Sequence, residues 1–160
     1  MAFDKAKKHL EKFHLADRIQ TFPVSSATVA LAAEALGCEE KHIAKSLTFG
    51  VDGTAVLIVA AGDAKVDNAK FKAYFHTKAK MLTSPEVESM IGHSVGGVCP
   101  FGIQDGARVF LDVSLKRFDF VYPACGSANS AVKLTIPELE AASGYLDWID
   151  VCKNWELATN

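Results

Sequence analysis

Lys45 is the residue of this sequence whose type and setting folding alone explains least. It opens the β-rich run from Lys45 to Val51. Side chains alternate between faces in a strand, so Lys45, Leu47 and Phe49 share one face and Ser46 and Thr48 the other. An ammonium group on an apolar face is costly unless an anion or carbonyl compensates it. That cost makes it a candidate for electrostatic chemistry, although a lysine at a strand end can also snorkel to water. The second feature is Gly92-His93-Ser94-Val95-Gly96-Gly97-Val98-Cys99-Pro100-Phe101-Gly102, four glycines and a proline in eleven residues. Such a segment lets main-chain N–H groups approach a ligand and hold a carbonyl oxygen or a ribose. A tight link between helix and strand would use the same residues. The third is Ala124–Ser130, small and polar after Pro123. There Gly126 and Ser127 could add further N–H donors, and an ordinary turn has the same composition.

A covalent route is the main chemical rival. Cys99 or Cys125 could act as nucleophile with His93 as its base, and Lys45 could supply the positive setting a thiolate needs. Against it, His93 precedes Cys99 by six residues in a glycine-rich loop, with no third group to orient the base. His9, His14, His42, His76 and His93 show no metal-ligand spacing. Cys38, Cys99, Cys125 and Cys152 form no CxxC pair. No metal and no cofactor are therefore expected, and the cysteines read as free thiols of a reducing compartment. Asp112 faces away from Val109, Leu111 and Val113, toward a pocket or toward solvent. Trp148 and Trp155 read as packing residues.

The elements that must position these groups follow from local signals. Phe3, Ala6, Leu10 and Phe13 recur at helical spacing over Asp4–His14, with Lys5, Lys7, Lys8 and Lys12 on the remaining surface. That surface could be a solvated face or could touch nucleic acid. Ile19–Phe22 reads as a short strand closed by Pro23. Ser26 or Thr28 caps a helix ended by Gly37, and a helical turn covers Glu39–Ala44. Asp52-Gly53 supplies the positive φ angles of a hairpin between Lys45–Val51 and Thr54–Ala60. Asp67–Phe75 is a helix and Ala79–Leu82 a strand. Thr83 with Glu86, and Thr135 with Glu138, are capping boxes with proline in the first turn and glycine after the helix, at Gly92 and Gly144. Arg108–Val113, Phe118–Tyr122, Ala131–Leu134 and Trp148–Cys152 complete about eight strands and five helices. Hairpins mixed with strand–helix–strand units favour an α/β fold of the α+β type, a mixed, curved sheet surrounded by helices.

Composition sets the outer bounds. A chain of 160 residues, 49% hydrophobic and 22% charged, fits one domain over residues 1–160 with a real core. No run approaches the length of a membrane helix, and the lysine-rich start is no secretory signal, so a cytoplasmic protein is expected. The net charge of −2 excludes a strongly basic nucleic-acid binder. An RNA ligand would need a local basic patch or a partner protein.

Taken together, Ile43-Ala44-Lys45-Ser46-Leu47, Gly96-Gly97-Val98-Cys99-Pro100-Phe101-Gly102 and the Gly126-Ser127 turn resemble the three motifs of the YbaK-type, prolyl-tRNA-synthetase-associated editing domains. The resemblance runs from about Phe13 to Cys152 and rests on the order and spacing of the first two motifs. It implies a barrel-like mixed sheet wrapped by helices. It also implies an activity, cleavage of the ester of a wrong amino acid on tRNA, usually tRNA-Pro, without a metal. Lys45 matches the family's essential lysine. Phe22, Thr28, Ser46, Gly96, Gly97, Pro100, Gly102, Cys125, Gly126 and Ser127 would line the substrate site. Partners would be the acylated tRNA 3′ end and prolyl-tRNA synthetase. Phe22 stands where cysteine-specific relatives carry tyrosine, Cys125 where they carry serine, and Val132 where they carry an acid. The amino acid removed therefore stays open among cysteine, alanine and similar residues. A non-catalytic module that binds aminoacyl-tRNA or a synthetase would carry the same motifs.

Overall fold

The computed structural model describes residues 2–155. Helix α1 (Ala2–Glu11) buries Ala6 and Leu10 and leaves its lysines in solvent. After β1 (Ile19–Thr21), helix α2 (Val29–Leu36) is capped by Thr28, whose hydroxyl accepts from the Leu31 N–H at 3.2 Å, and ends on Gly37 at φ 71°. A 3₁₀ turn, Glu40–His42, leads into β2 (Ile43–Val51). Asp52 and Gly53, at φ 51° and 77°, then turn the chain into β3 (Thr54–Ala61). Strand β4 (Lys65–Val66) and helix α3 (Asn68–Phe75) follow, with Asp67 accepting two first-turn N–H bonds. Helix α4 (Ser84–Met90), strands β5 (Arg108–Asp112), β6 (Phe120–Pro123), β7 (Ser130–Val132) and β8 (Leu134–Thr135), helix α5 (Ile136–Ser143) and strands β9 (Asp147–Ile149) and β10 (Cys152–Lys153) complete the order. Both expected capping boxes form, Thr83 with Glu86 and Thr135 with Glu138.

Six strands make one curled sheet in the order β8-β6-β2-β3-β5-β9. The β2–β3 and β6–β8 pairs are antiparallel; β2–β6, β3–β5 and β5–β9 are parallel. Two small ribbons, β1–β7 and β4–β10, stand apart. Central strand β3 is buried on both faces from Ala55 to Ala61, as its unbroken apolar run requires. Phe49, Phe71, Phe75 and Phe110 form an aromatic layer between the sheet and α3, with ring centroids 4.6–5.2 Å apart.

Three strand expectations need correction. Ala79–Leu82 makes only a bridge between Met81 and Phe49, because Thr83 starts the cap of α4 directly after the Leu82 N–H bonds Thr48. Ala131–Leu134 is two strands, since Val132 pairs with β1 and Leu134 with β6. Trp148–Cys152 divides likewise between β5 and β4. Asp112 faces neither pocket nor solvent. It is fully buried and accepts the N–H groups of Ser114 and Val151, each at 3.0 Å.

Candidate functional site

The hairpin fixes which main-chain groups of β2 face away from β3. Its two-residue turn pairs Val51 with Thr54, so in the alternating antiparallel ladder the even-numbered residues turn their N–H and C=O to the other edge. Strand β6 covers that edge only at Ile43 and Ala44. Further on, Thr48 C=O accepts from Leu82 N–H at 3.1 Å and Gly50 N–H donates to Lys80 C=O at 3.0 Å. Ser46 lies between these two covers, and among the described residues no strand lies opposite its N–H and C=O. A cleft of about 340 Å³ opens along this gap.

Five segments wall the cleft. The first turn of α2 contributes Ser26 to Val29, and β2 contributes Ala44 to Ser46 and Thr48. Leu82 and Val87 close one side, and Gly96 and Val98 of the glycine loop face Ala124, Ser130 and Ala131 of the third loop. Because the cleft follows a strand edge, residues of both faces reach it, Lys45 from one and Ser46 and Thr48 from the other.

Lys45 is half-buried, and its ammonium donates to the carbonyls of Gly62, at 3.4 Å, and Ala64. Among the described residues no carboxylate bonds it. Burial lowers its pKa from the ordinary lysine value, the nearby Cys152 and Asp63 oppose that shift, and Lys65 adds to it. An ammonium has three donors, so a third remains beyond these two carbonyls. Gly62 is itself locked in place, since a Cβ there would stand 2.0 Å from the Glu40 carbonyl and 2.8 Å from Val29.

Two further hydroxyls belong to the cleft. Ser26 is 6% exposed, and its side-chain oxygen has no partner among the described residues; the same is true of the buried oxygen of Ser46. Such orphaned polar atoms are uncommon and call for an explanation. The N–H of Ser26 donates to the Ala128 carbonyl at 2.6 Å, which ties the start of α2 to the third loop. The α2 first turn also brings the positive end of a helix dipole to the cleft. Sequence reasoning weighed Ser26 only as a helix cap. Its role here could have been suspected because Thr28 takes the capping place.

The residues expected to line the site divide into three groups. Thr28, Lys45, Ser46 and Gly96 line the cleft. Gly97 and Ser127 touch each other immediately behind it, and Phe22 is joined to the third loop by its N–H to Asn129 C=O at 2.8 Å. Pro100, Gly102, Cys125 and Gly126 lie outside the cleft wall. Gly102 and Gly126 make room for α1: a Cβ on either would stand 2.5 Å from the main-chain oxygen of Lys5 or Ala2.

The cysteine alternative has poor geometry. Cys99 and Cys125 are both fully buried. Desolvation pushes the Cys99 thiol far up and the Cys125 thiol up to about 12. His93 is 1% exposed, its Nδ1 accepts the Cys99 N–H at 3.3 Å, and burial lowers its pKa. This is a neutral imidazole pinning a loop. Among the described residues, no cluster of histidine, cysteine and carboxylate side chains could hold a metal, and no helix is long and apolar enough to cross a membrane.

Comparison with known proteins adds four findings. Residues 24–142 match the family model described as aminoacyl-tRNA editing domain. The chain is 50% identical over 157 residues to the uncharacterized protein YwhH of Bacillus subtilis, covering 98% of this chain and 100% of that one. It is 31% identical over 114 residues to the proline–tRNA ligase of the same organism, covering 71% of this chain and 19% of the ligase. Among solved structures, a candidate trans-editing enzyme for prolyl tRNA synthetase superposes with a TM-score of 0.85 at 28% identity, covering 95% and 97% of the two chains.

Proposed function

Because this chain belongs to the aminoacyl-tRNA editing domain family, we propose that it hydrolyses the ester of mischarged tRNA. The substrate in this reading is tRNA-Pro carrying cysteine, alanine or a similarly small wrong amino acid. The observation that carries the reading is the uncovered edge of β2 at Ser46, which puts one donor and one acceptor in a cleft beside Lys45. An aminoacyl group has the matching pair, an ester carbonyl and an α-amino group. The small apolar wall of Val29, Ala32, Ala44 and Val98 suits a small side chain.

An aminoacyl ester is already activated. Water adds to its carbonyl carbon, the oxyanion forms, and the C–O bond to the ribose breaks, leaving a free amino acid and a tRNA hydroxyl. What a protein must add is position and stabilisation of the oxyanion. In this reading Lys45 supplies positive charge, and the N–H groups of Ser46 and Gly96 supply donors, while the Gly97 N–H, bonded to the Ser94 carbonyl, holds the loop in shape. Thr28 and Phe22 hold α2 and the third loop. Pro100, Gly102, Cys125, Gly126 and Ser127 set the shape of the two loops from behind. No side-chain nucleophile is required. Prolyl-tRNA synthetase is the proposed partner, and the cytoplasm, where charged tRNA is found, the proposed location.

The test is a set of tRNA-Pro species charged with proline, alanine, cysteine or serine, followed for release of the amino acid. Turnover of at least one wrong species with proline spared is expected. Binding without turnover of any species would make this a non-catalytic module. Loss of turnover on replacing Cys99 and Cys125 by alanine, with the fold kept, would restore the cysteine route.

A further inference from the structure

We propose that the flank formed by Lys5 and Lys8 of α1 and by Lys12 just beyond its end docks the phosphodiester backbone of the RNA whose acylated end occupies the cleft; His9 between them is anchored to the Ala142 carbonyl at 2.7 Å. The proposal rests on the reading above and says where the rest of the substrate is held.

Helical spacing sorts the charges of α1 into two sides. Positions 5, 8, 9 and 12 recur at three- and four-residue steps, so they form one flank. Asp4, Lys7 and Glu11 fall on another, and Ala6 and Leu10 face the core. The first flank is purely basic although the chain carries a net −2. Lys5, Lys8 and Lys12 are exposed. None of the three is in an ion pair among the described residues. From Lys5 to Lys12 the helix rises about 10 Å, enough to meet more than one phosphate.

The flank borders a groove of about 540 Å³ lined also by Pro100, Gly102, Ile103 and Gln104, in which Asp105 is the single carboxylate. That lining continues the glycine loop whose Gly96 and Val98 wall the cleft. Cleft and groove are thus two ends of the segment from Gly96 to Gly102, and six extended residues span at most about 20 Å. The close approach of Gly102 to the Lys5 carbonyl holds α1 against this segment. In this proposal the RNA strand leaving the cleft follows that segment and meets positive charge within a few nucleotides. This local patch resolves the mismatch between an acidic chain and an RNA substrate.

The experiment compares the wild-type chain with a Lys5→Gln/Lys8→Gln/Lys12→Gln variant and, as control on the mixed side, Lys7→Gln. Binding of uncharged tRNA-Pro is followed by fluorescence anisotropy from low to moderate salt. The triple variant should bind at least tenfold more weakly at low salt. Its log–log salt slope should flatten by about two, from a release of about 0.7–0.9 counterions per lost contact. Lys7→Gln should change little. Deacylation should show a raised KM for acylated tRNA with kcat kept, and unchanged rates on an aminoacylated adenosine. An unchanged affinity and slope, or equal losses on tRNA and adenosine esters at unchanged melting temperature, would overturn the proposal. So would lysine-dependent binding to prolyl-tRNA synthetase without any effect on tRNA. If the wild type cleaves neither ester yet the lysines still control tRNA binding, the deacylase reading fails and this surface stands.

Discussion

The main chain of Gly97 lies so close to that of Ser127 that a methyl group on Gly97 would stand 2.7 Å from the Ser127 nitrogen. The two small-residue loops are in backbone contact, and the cleft wall at Gly96 depends on it. Gly97→Ala should therefore destabilise the protein by about 1–3 kcal/mol, the usual cost of overpacking. It should also lower kcat/KM at least tenfold as Gly96 shifts. Gly106→Ala is the control, because a Cβ there meets nothing within 4 Å. Thermal melts and deacylation rates of both variants check the pair. A Gly97→Ala protein with native melting and activity would mean that the loops tolerate separation.

Lys45→Ala should keep the fold and lower deacylation by about 100-fold or more, the typical loss for a group that stabilises an oxyanion. The pH profile separates electrostatics from packing. Burial favours the neutral amine, so the charge on Lys45 is lost as pH rises through a value below the ordinary lysine range. After subtraction of spontaneous hydrolysis, the rate should therefore show a falling alkaline limb. Between that lowered pKa and the ordinary one, the unfolded chain binds more protons, so stability rises with pH there. Lys45→Arg keeps the charge and should abolish the limb, whatever activity remains. A limb that survives in Lys45→Arg would assign it to another group.

Ser26 and Ser46 should show activity and stability moving in opposite directions. An unpaired buried hydroxyl destabilises a fold by about 1–3 kcal/mol relative to a paired one. Replacing either by alanine removes that cost, so the melting temperature should hold or rise slightly. The lost hydrogen bond to substrate should lower kcat/KM by about 5- to 30-fold, the equivalent of a bond worth about 1–2 kcal/mol. Lower stability at full activity would show that the hydroxyls serve the fold instead.

How much of this was legible in the sequence depends on the range of the interaction. The Asp52-Gly53 turn, the two capping boxes, and Gly37 and Gly144 after their helices are set within a few residues, and all form as read. The mixed, curved sheet also follows from local pattern. The opening at Ser46 does not, since it depends on where β6 stops and where Met81 and Leu82 take over, far along the chain. The glycines show a second limit. A glycine signals that something approaches its main chain closely, not what approaches. Gly96 has the cleft beside it, whereas Gly102 and Gly126 have α1. The strands that divide at Lys133 and at Asp150–Val151 were read as single runs because apolar pattern does not encode a change of partner.

Asp63 offers the last test, because it sits between the two residues whose carbonyls hold Lys45. Arg117, with its side chain 4% exposed, clamps the Asp63 carboxylate with both terminal nitrogens, at 2.9 and 2.5 Å. Its Nε donates to the Ser114 carbonyl at 2.8 Å. Burial opposes ionisation of Asp63, but the bond from Arg117 and its charge outweigh it and hold the carboxyl below the usual range. The pair therefore stabilises the fold above the ordinary aspartate pKa, and that contribution is lost as pH falls through the lowered value. Asp63→Asn removes the carboxylate that Arg117 clamps with two hydrogen bonds and should cost about 1–3 kcal/mol at neutral pH. It should also flatten the acid side of the stability profile. The same substitution removes a negative charge that raises the pKa of Lys45. The alkaline limb of deacylation should therefore move to lower pH in Asp63→Asn. A limb that stays in place while stability falls would show that the Asp63–Arg117 clamp supports the loop without setting the charge on Lys45.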